Sequence, residues 1–241
     1  MRSPARHRHG LPDPRAFPIV EGSGGRDERD DSQVTRIDAI EVHSALNDGT
    51  AVVLRTIRPD DAPLIRDGIA KLSAESRYLR FFSAAPVLPD AVVHRLAEVD
   101  GHDHLAWGAI CSDCPDRPPI GAVHAVRYRH DGPAGEFSVA VLDDFQGLGL
   151  ARMMTAALLF QCRAEGLATL DVHMLCENDA ARNLVKSMGA QWTSESAGVA
   201  EYRLDVADAI GALRADTDAT GVQDVFRTLE SEGRAVGESK G

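Results

Sequence analysis

The sequence predicts one mixed α/β domain over roughly residues 37–207, with a tail on each side. Three observations support this fold class. Apolar residues recur at helical spacing between about residues 59 and 100, and a strand-like alternation replaces that spacing afterwards. A strand-like run then ends in a glycine-containing turn that opens an amphipathic helix. The predicted order is β, α, α, a β-meander, α, β, α, β, β.

Turn and cap signals place the first elements. Asn47-Asp48-Gly49 lies between two short alternating runs and favours a hairpin. The stretch beginning at Pro59 favours a helix with Asp60 or Asp61 as its N-cap, and "AESRYLRFFS" continues with helical spacing. Pro89 is placed near the start of another helix, where its missing N–H does no harm.

The second half alternates strands with helices. The segments "HLAWGAICSD", "PPIGAVHAVRYRHD" and "GEFSVAVL" predict a meander, and "GLARMMTAALLFQCRAEG" predicts a helix that Gly166 closes. After the strand "ATLDVHMLC", Asn178 caps a short helix that ends at Gly189. Two closing strands meet at Gly198.

Both tails are predicted to lie outside the domain. Residues 1–36 are rich in Arg, His, Gly, Pro and Asp without an apolar period, and we interpret them as a disordered arm. Residues 208–241 are expected to be weakly helical or disordered.

Charge and composition indicate which kinds of binding partner, and which cellular compartment, to expect. The formal net charge is −11, most of it within residues 37–207, which argues against nucleic acid and is compatible with a cationic substrate. No apolar run approaches the roughly 20 residues that span a bilayer, so we expect no membrane association. Four cysteines are few for a disulfide framework, and a secretory signal is not apparent, so we expect a cytoplasmic protein.

The glycine-containing turn predicts an anion site. Gly147 and Gly149 leave the backbone bare where a strand becomes a helix, and the N–H groups there can converge on a phosphate that the helix dipole also favours. Arg152 can add a charged contact. The Lys-Ser/Thr of a Walker A loop is missing, and Arg152 stands where a Rossmann fingerprint has its third glycine.

Two motifs together resemble a known family. The stretch Gln146 to Ala151 resembles the Q/R-x-x-G-x-G/A signature of the GNAT superfamily of N-acetyltransferases. "ENDAARNLVKSMGA" is similar to its second motif, with Ala190 where that family more often has an aromatic residue. The stretch from Leu72 to Ser83 is similar to the bacterial Pat-like branch of protein lysine acetyltransferases.

The resemblance implies a fold, an acyl donor and a set of site residues. The fold is a mixed, mostly antiparallel sheet flanked by helices, with its fourth and fifth strands splayed apart. The donor is acetyl-CoA, with the pantetheine arm along the fourth strand and the diphosphate on the glycine turn. The implied binding residues are Val139, Val141, Gln146, Gly147, Leu148, Gly149, Leu150, Ala151, Arg152 and Asn178.

Glu136, which opens the fourth strand, is implied as the general base that removes a proton from the attacking amine. The acid that protonates the departing thiolate is not identified, because Val185 stands where many family members have a tyrosine.

The resemblance implies an N-acetyltransferase that transfers the acetyl group of acetyl-CoA to a primary amine, and a protein lysine side chain is the acceptor that we predict. The alternatives are a small-molecule amine as acceptor, or a non-catalytic sensor that only binds acyl-CoA. The oligomeric state is open as well, a homodimer included. His102-Asp103-His104 and Cys111 to Cys114 together contain the residue types that bind zinc. We nevertheless predict no metal site, because the two cysteines lie beside a connector between strands and the second C-x-x-C of a typical pair is missing.

Overall fold

A computed structural model of the protein describes residues 40–83, 85 and 87–238, with side chains up to residue 232. The arm predicted over residues 1–36 lies outside these ranges. The described strands are β1 Glu41–Ala45, β2 Ala51–Thr56, β3 His104–Cys111, β4 Pro119–Arg127, β5 Ala134–Val141, β6 Thr169–Leu175, β7 Gln191–Ser196 and β8 Val199–Asp205. The described helices are α1 Ala62–Lys71, α2 Ala74–Phe81, α3 Asp90–Ala97, α4 Leu150–Ala164, α5 Asp179–Ser187, α6 Val206–Ala215 and α7 Thr220–Glu238.

The strands form a single sheet in the order β1-β2-β3-β4-β5-β6-β8-β7. Every neighbouring pair is antiparallel except β5 and β6, which run parallel. This confirms the mixed, mostly antiparallel sheet with flanking helices. The strands that were expected to be the fourth and fifth are β5 and β6 of the structure, because the hairpin before the meander contributes two strands and not one.

The two faces of the sheet are covered by different helices. Alternate strand residues such as Trp107, Phe137 and Val172 join α4 to α7 in the main core. Inside this core the Trp107 indole N–H donates to the Gln161 side chain of α4 at 2.8 Å. A smaller apolar cluster joins α1, α2 and α3 on the opposite face. Glu136 and Ser138 of β5 therefore turn toward the side of α2.

Local signals placed most turns and caps correctly. Gly49 has a φ of +92° in the hairpin between β1 and β2, and Asn178 accepts from the Ala181 N–H as the N-cap of α5 at 3.0 Å. Asp61 occupies the predicted N-cap position of α1, but its side chain does not accept a hydrogen bond from the helix. Asp61 makes two 2.7 Å bonds to the Arg55 guanidinium and accepts from the Arg58 N–H at 2.9 Å, because a buried carboxylate gains more from a cation than from a helix end.

The C-terminus contains helices as expected, but α6 and α7 belong to the domain and not to a tail outside it. Val222, Val225, Phe226 and Leu229 of α7 are buried in the main core. Their spacing fits one helix face, but the many polar residues between them weakened the apolar signal. Neither α7 nor any other helix in the described ranges has the length and apolar character needed to cross a membrane.

A disulfide joins Cys111 and Cys114, although four cysteines were judged too few for a disulfide framework. The tight turn between β3 and β4 brings their Cα atoms to 5.5 Å, within the range that a disulfide requires. Cys162 and Cys176 are free thiols.

Candidate functional site

A cleft opens where β5 and β6 part. The two strands pair only from Ala134 with Thr169 to Phe137 with Val172. Beyond these pairs β5 continues to Val141 and β6 to Leu175 without further pairing between them in the described structure. The cavity between them has a volume of about 460 Å³. It is lined by both strands, the glycine turn, α2 and α5.

The open edge of β5 presents backbone groups to this cleft. Leu142 donates its N–H to the Ile120 carbonyl at 2.9 Å, so the N–H of Leu142 points toward β4 and away from the cleft. Because successive residues of a strand point their N–H and C=O groups to opposite sides, Val139 and Val141 turn theirs toward the cleft. Gln146 donates from its side-chain amide to the Val141 carbonyl at 3.1 Å.

The glycine turn leaves a run of backbone donors available. Gly147 and Gly149 have φ of +73° and +89°, values that glycine adopts without a steric penalty. Within the described part of the chain, the N–H groups from Gly147 to Ala151 have no intramolecular acceptor. The run begins at the N-terminus of α4, where the helix dipole favours an anion.

The backbone N–H groups of the two flanking residues, Gln146 and Arg152, are already used inside the molecule. The Gln146 N–H donates to the Asp143 carbonyl at 3.2 Å, and the Arg152 N–H donates to the Gly149 carbonyl at 3.1 Å. The Gln146 side chain reaches Ser76 of α2 at 3.2 Å. Gln146 and the Arg152 amide therefore belong to the frame of the turn.

The Arg152 side chain is held at a distance from the turn. Its guanidinium pairs with Asp216 at 2.8 Å and lies 3.4 Å from the Ser187 hydroxyl. Its Nε is buried and has no hydrogen-bond partner among the described residues. Arg152 lines the cavity, but an anion there would have to compete with Asp216 for the guanidinium.

The predicted binding residues mostly meet at this cavity. All of them line it except Leu148, whose side chain packs partly against the main core. Leu148 anchors the turn through its carbonyl, which accepts from the Asn47 N–H at 3.0 Å. Asn178 lies on the far wall of the cavity and also caps α5, so a place in the lining is compatible with its role as a helix cap.

Glu136 lies in β5 at one end of the cleft, and its side chain is 27% exposed. The Nδ1 atom of His173 lies 3.7 Å from a Glu136 carboxylate oxygen, and its Nε2 atom lies 3.8 Å from Glu201. The Glu136 carboxylate raises the pKa of His173 above its usual value, with Glu201 adding to this effect. Two carboxylates thus flank one imidazole beside the cleft.

Arg80 of α2 brings a cation to the same place. It donates from its guanidinium to the Ser138 hydroxyl at 2.7 Å and lines the cavity next to Glu136. Burial lowers the pKa of Arg80 to about 10, and the nearby Glu136 carboxylate opposes this shift. Arg80 therefore keeps its positive charge at neutral pH.

The lining residues that were not predicted from the sequence include Asn47, Ser76, Arg80 and His173. His173 had a detectable signal, since it alternates with Asp171 on the polar face of "ATLDVHMLC". The other three reach the cleft from a hairpin and a helix that are far from β5 in the chain, so no local sequence pattern could have predicted them.

Comparisons with known proteins agree with this geometry. Residues 51–191 match the family model of the Acetyltransferase (GNAT) domain. The chain is 30% identical over 153 residues to acetyltransferase Pat of Mycolicibacterium smegmatis, which covers 64% of this chain and 45% of that protein. It is 26% identical over 145 residues to acetyltransferase PA5475 of Pseudomonas aeruginosa, covering 60% and 77%.

Among solved structures, the GNAT domain of S. lividans PAT superimposes with a TM-score of 0.62 at 25% identity. The match covers 68% of this chain and 96% of that domain. The chain spans less than half the length of the M. smegmatis relative.

Proposed function

Because this chain belongs to the GNAT family of acetyltransferases, whose members use acetyl-CoA as acyl donor, we propose that it transfers an acetyl group from acetyl-CoA to a primary amine. The observation that carries the proposal is the run of available N–H groups from Gly147 to Ala151 beside the opening between β5 and β6.

The cleft can hold each part of acetyl-CoA. The available N–H groups of the turn suit the diphosphate, because backbone donors at a helix N-terminus bind phosphate oxygens well. The backbone of Val139 and Val141 can pair with the amides of the pantetheine arm, as an added strand would. The Asn178 side chain faces the arm from the opposite wall.

The acceptor that we propose is the amine of a protein lysine. The chain resembles the Pat-like branch, and the carboxylates of Glu136 and Glu201 favour a cationic group at this end of the cleft. The exposed fractions of Glu136 and His173, 27% and 29%, leave the site reachable by a long side chain from solvent.

Glu136 is the proposed general base. It takes a proton from the ammonium group, directly or through a water molecule, and the neutral amine attacks the thioester carbonyl carbon. A C–N bond forms, the C–S bond breaks, and coenzyme A leaves as a thiolate that takes up a proton from water or from the ammonium product. The Val141 N–H faces the cleft, where it can stabilise the carbonyl oxygen as negative charge develops.

The donor site is tested by a double substitution, Gly147→Glu with Gly149→Glu. Two carboxylates placed on the turn would repel the diphosphate and occupy the space of the backbone donors, so we expect loss of acetyl-CoA binding in calorimetry. The matched control is Gly166→Glu with Gly198→Glu, since these glycines also have positive φ, with open space around them. Equal affinity of the two double variants would contradict the proposed phosphate site.

The acceptor is tested with acetyl-CoA and a panel of lysine peptides, each paired with a peptide that carries Arg in place of Lys. Acetylation of the lysine peptides alone, measured by mass spectrometry, supports a protein acceptor. Acetylation of polyamines, aminoglycosides or amino acids in place of the peptides would show a small-molecule enzyme. Binding of acetyl-CoA without turnover on any amine would show a sensor, a reading that the buried Val185 at the expected tyrosine position favours.

A further inference from the structure

Three segments meet at the end of β5 opposite the glycine turn. They are the loop before β3, the hairpin loop between β4 and β5, and the turn after α4, which contribute His102, His130 with Asp131, and Glu165. The Arg127 guanidinium joins them, donating to the His102 carbonyl at 2.9 Å and also to the carbonyls of Gly132 and Glu165. Its side chain is only 1% exposed, so the junction has a well-packed base.

The Nε2 atoms of two histidines in this junction both point at the Asp131 carboxylate. The Nε2 atom of His102 lies 2.7 Å from one Asp131 oxygen, and the Nε2 atom of His130 lies 3.4 Å from the other. One ligand atom from each of the three residues falls within 4.8 Å of the others. Two histidine nitrogens and a carboxylate form a common ligand set for zinc.

The opposite nitrogen of each ring is held by a second carboxylate. Glu165 lies 2.9 Å from the Nδ1 atom of His102, and Asp103 lies 2.5 Å from the Nδ1 atom of His130. Histidines that bind metals almost always donate their second N–H in this way, because the bond fixes the ring and makes the ligating nitrogen more basic. The same arrangement occurring twice distinguishes this cluster from an ordinary surface ion pair.

A further oxygen faces the same place. Asp103 Oδ1 is buried and has no hydrogen-bond partner in the described part of the chain, and it lies 3.9 Å from His102 Nε2. Charge also balances around a divalent ion. Such an ion together with the Arg127 cation would be neutralised by the carboxylates of Asp103, Asp131 and Glu165, with both histidines neutral.

The geometry points to a divalent metal site of the zinc class at His102, His130 and Asp131, supported by Glu165 and Asp103. The exposed Asp131 carboxylate turns outward slightly to admit the ion between the three ligands. The metal fastens the three segments behind the paired ends of β5 and β6. This site was not predicted from the sequence, because Asp131 lies almost thirty residues beyond His102 in the chain.

The test is a titration of the full chain with zinc chloride in calorimetry, repeated with cobalt(II) to record its ligand-field absorption. The protein carries His7→Gln and His9→Gln, and no reductant is present, so that neither the N-terminal histidines nor the thiols of Cys111 and Cys114 bind the metal. We expect one zinc ion per chain and a cobalt spectrum typical of nitrogen and oxygen ligands.

Three variants complete the experiment. His102→Gln with His130→Gln should abolish binding, whereas His43→Gln with His94→Gln, two exposed histidines elsewhere, should leave it unchanged. Glu165→Gln should weaken binding about 10- to 100-fold, the usual effect of removing a carboxylate that orients a ligand. Should the double ligand variant fail to fold by circular dichroism, the exposed Asp131→Asn replaces it. No zinc uptake, or equal affinity in the ligand and control variants, would overturn the proposal.

Discussion

Glu136 lies within a small group of charged side chains. His173 stands between it and Glu201, and Arg80 approaches from α2. In the proposed reaction, this setting would let the Glu136 carboxylate attract an ammonium group and pass its proton to His173. The chemistry of the site therefore depends on the arrangement of four residues, of which one was predicted from the sequence.

Glu136→Gln tests the base directly. The amide keeps the shape of the side chain but cannot accept the proton, so turnover should fall roughly 10²-fold, the usual scale for losing a general base. The affinity for acetyl-CoA should stay within the error of calorimetry, since Glu136 is remote from the glycine turn along β5. Glu201→Gln is the matched control, and an equal loss of turnover in both variants would remove the special role of Glu136.

A second prediction at this scale concerns a buried histidine pair. His124 is 5% exposed, and its Nδ1 lies 3.0 Å from the Nε2 of His104. Burial, together with His104 and Arg80, holds the pKa of His124 well below its usual value. His124 therefore takes up a proton near pH 6.5 in the unfolded chain but stays neutral at that pH in the folded chain.

The sign of the effect follows from proton uptake. Stability rises with pH wherever the unfolded state binds more protons, so His124 makes the fold less stable as the pH falls below 6.5, by at most about 1.4 kcal/mol per pH unit. His124→Gln should lose this slope between pH 7 and 5 in urea unfolding, whereas the exposed His94→Gln should keep it. Parallel slopes in wild type and His124→Gln would contradict the assignment.

At the scale of elements, the cleft results from the partial pairing of two strands. The parallel pairing of β5 and β6 ends at Phe137 and Val172, and the crossover between them carries the glycine turn and α4. The end of β5 is tied to α2, since Asp143 accepts from the Ser73 amide and from the hydroxyls of Ser73 and Ser76. These bonds hold α2, and with it Arg80, over the cleft.

The last helix supplies the prediction for this scale. Phe226 of α7 is 4% exposed within the main core, so Phe226→Ala should lower the free energy of unfolding by about 3–5 kcal/mol. The neighbouring Arg227→Ala should change it by less than about 0.5 kcal/mol, because Arg227 is exposed and its ion pair with Asp224 lies on the surface. Urea unfolding measures both. A small effect at Phe226 would mean that α7 adds little to the core.

At the scale of the whole molecule, the two ends of β5 carry different chemistry. The proposed donor site lies where β5 leaves the sheet for the glycine turn, and the histidine–carboxylate junction lies where β5 begins. Glu136, the proposed general base, lies two residues from the start of the strand and is therefore near the junction along the chain. We expect substitutions there to change stability and metal content more than the affinity for acetyl-CoA.

Features set by neighbouring residues were determined by the sequence alone. Asn47 to Gly49 specify a hairpin, Asn178 specifies a helix cap, and Gly147 with Gly149 specify a bare turn, since each depends on backbone preferences over a few residues. The family resemblance rests on the same short-range motifs, and it placed Glu136 and nearly all of the proposed binding residues at one cavity.

Contacts between distant segments were decided only by the tertiary structure. The burial of α7 on α4, the approach of Arg80 and His173 to Glu136, and the meeting of His102 with His130 join residues far apart in the chain. Such contacts depend on how the sheet twists and on which helix covers which face, and the total burial of apolar area decides both. A polar residue met along the sequence carries no sign of the partner that the fold will bring to it.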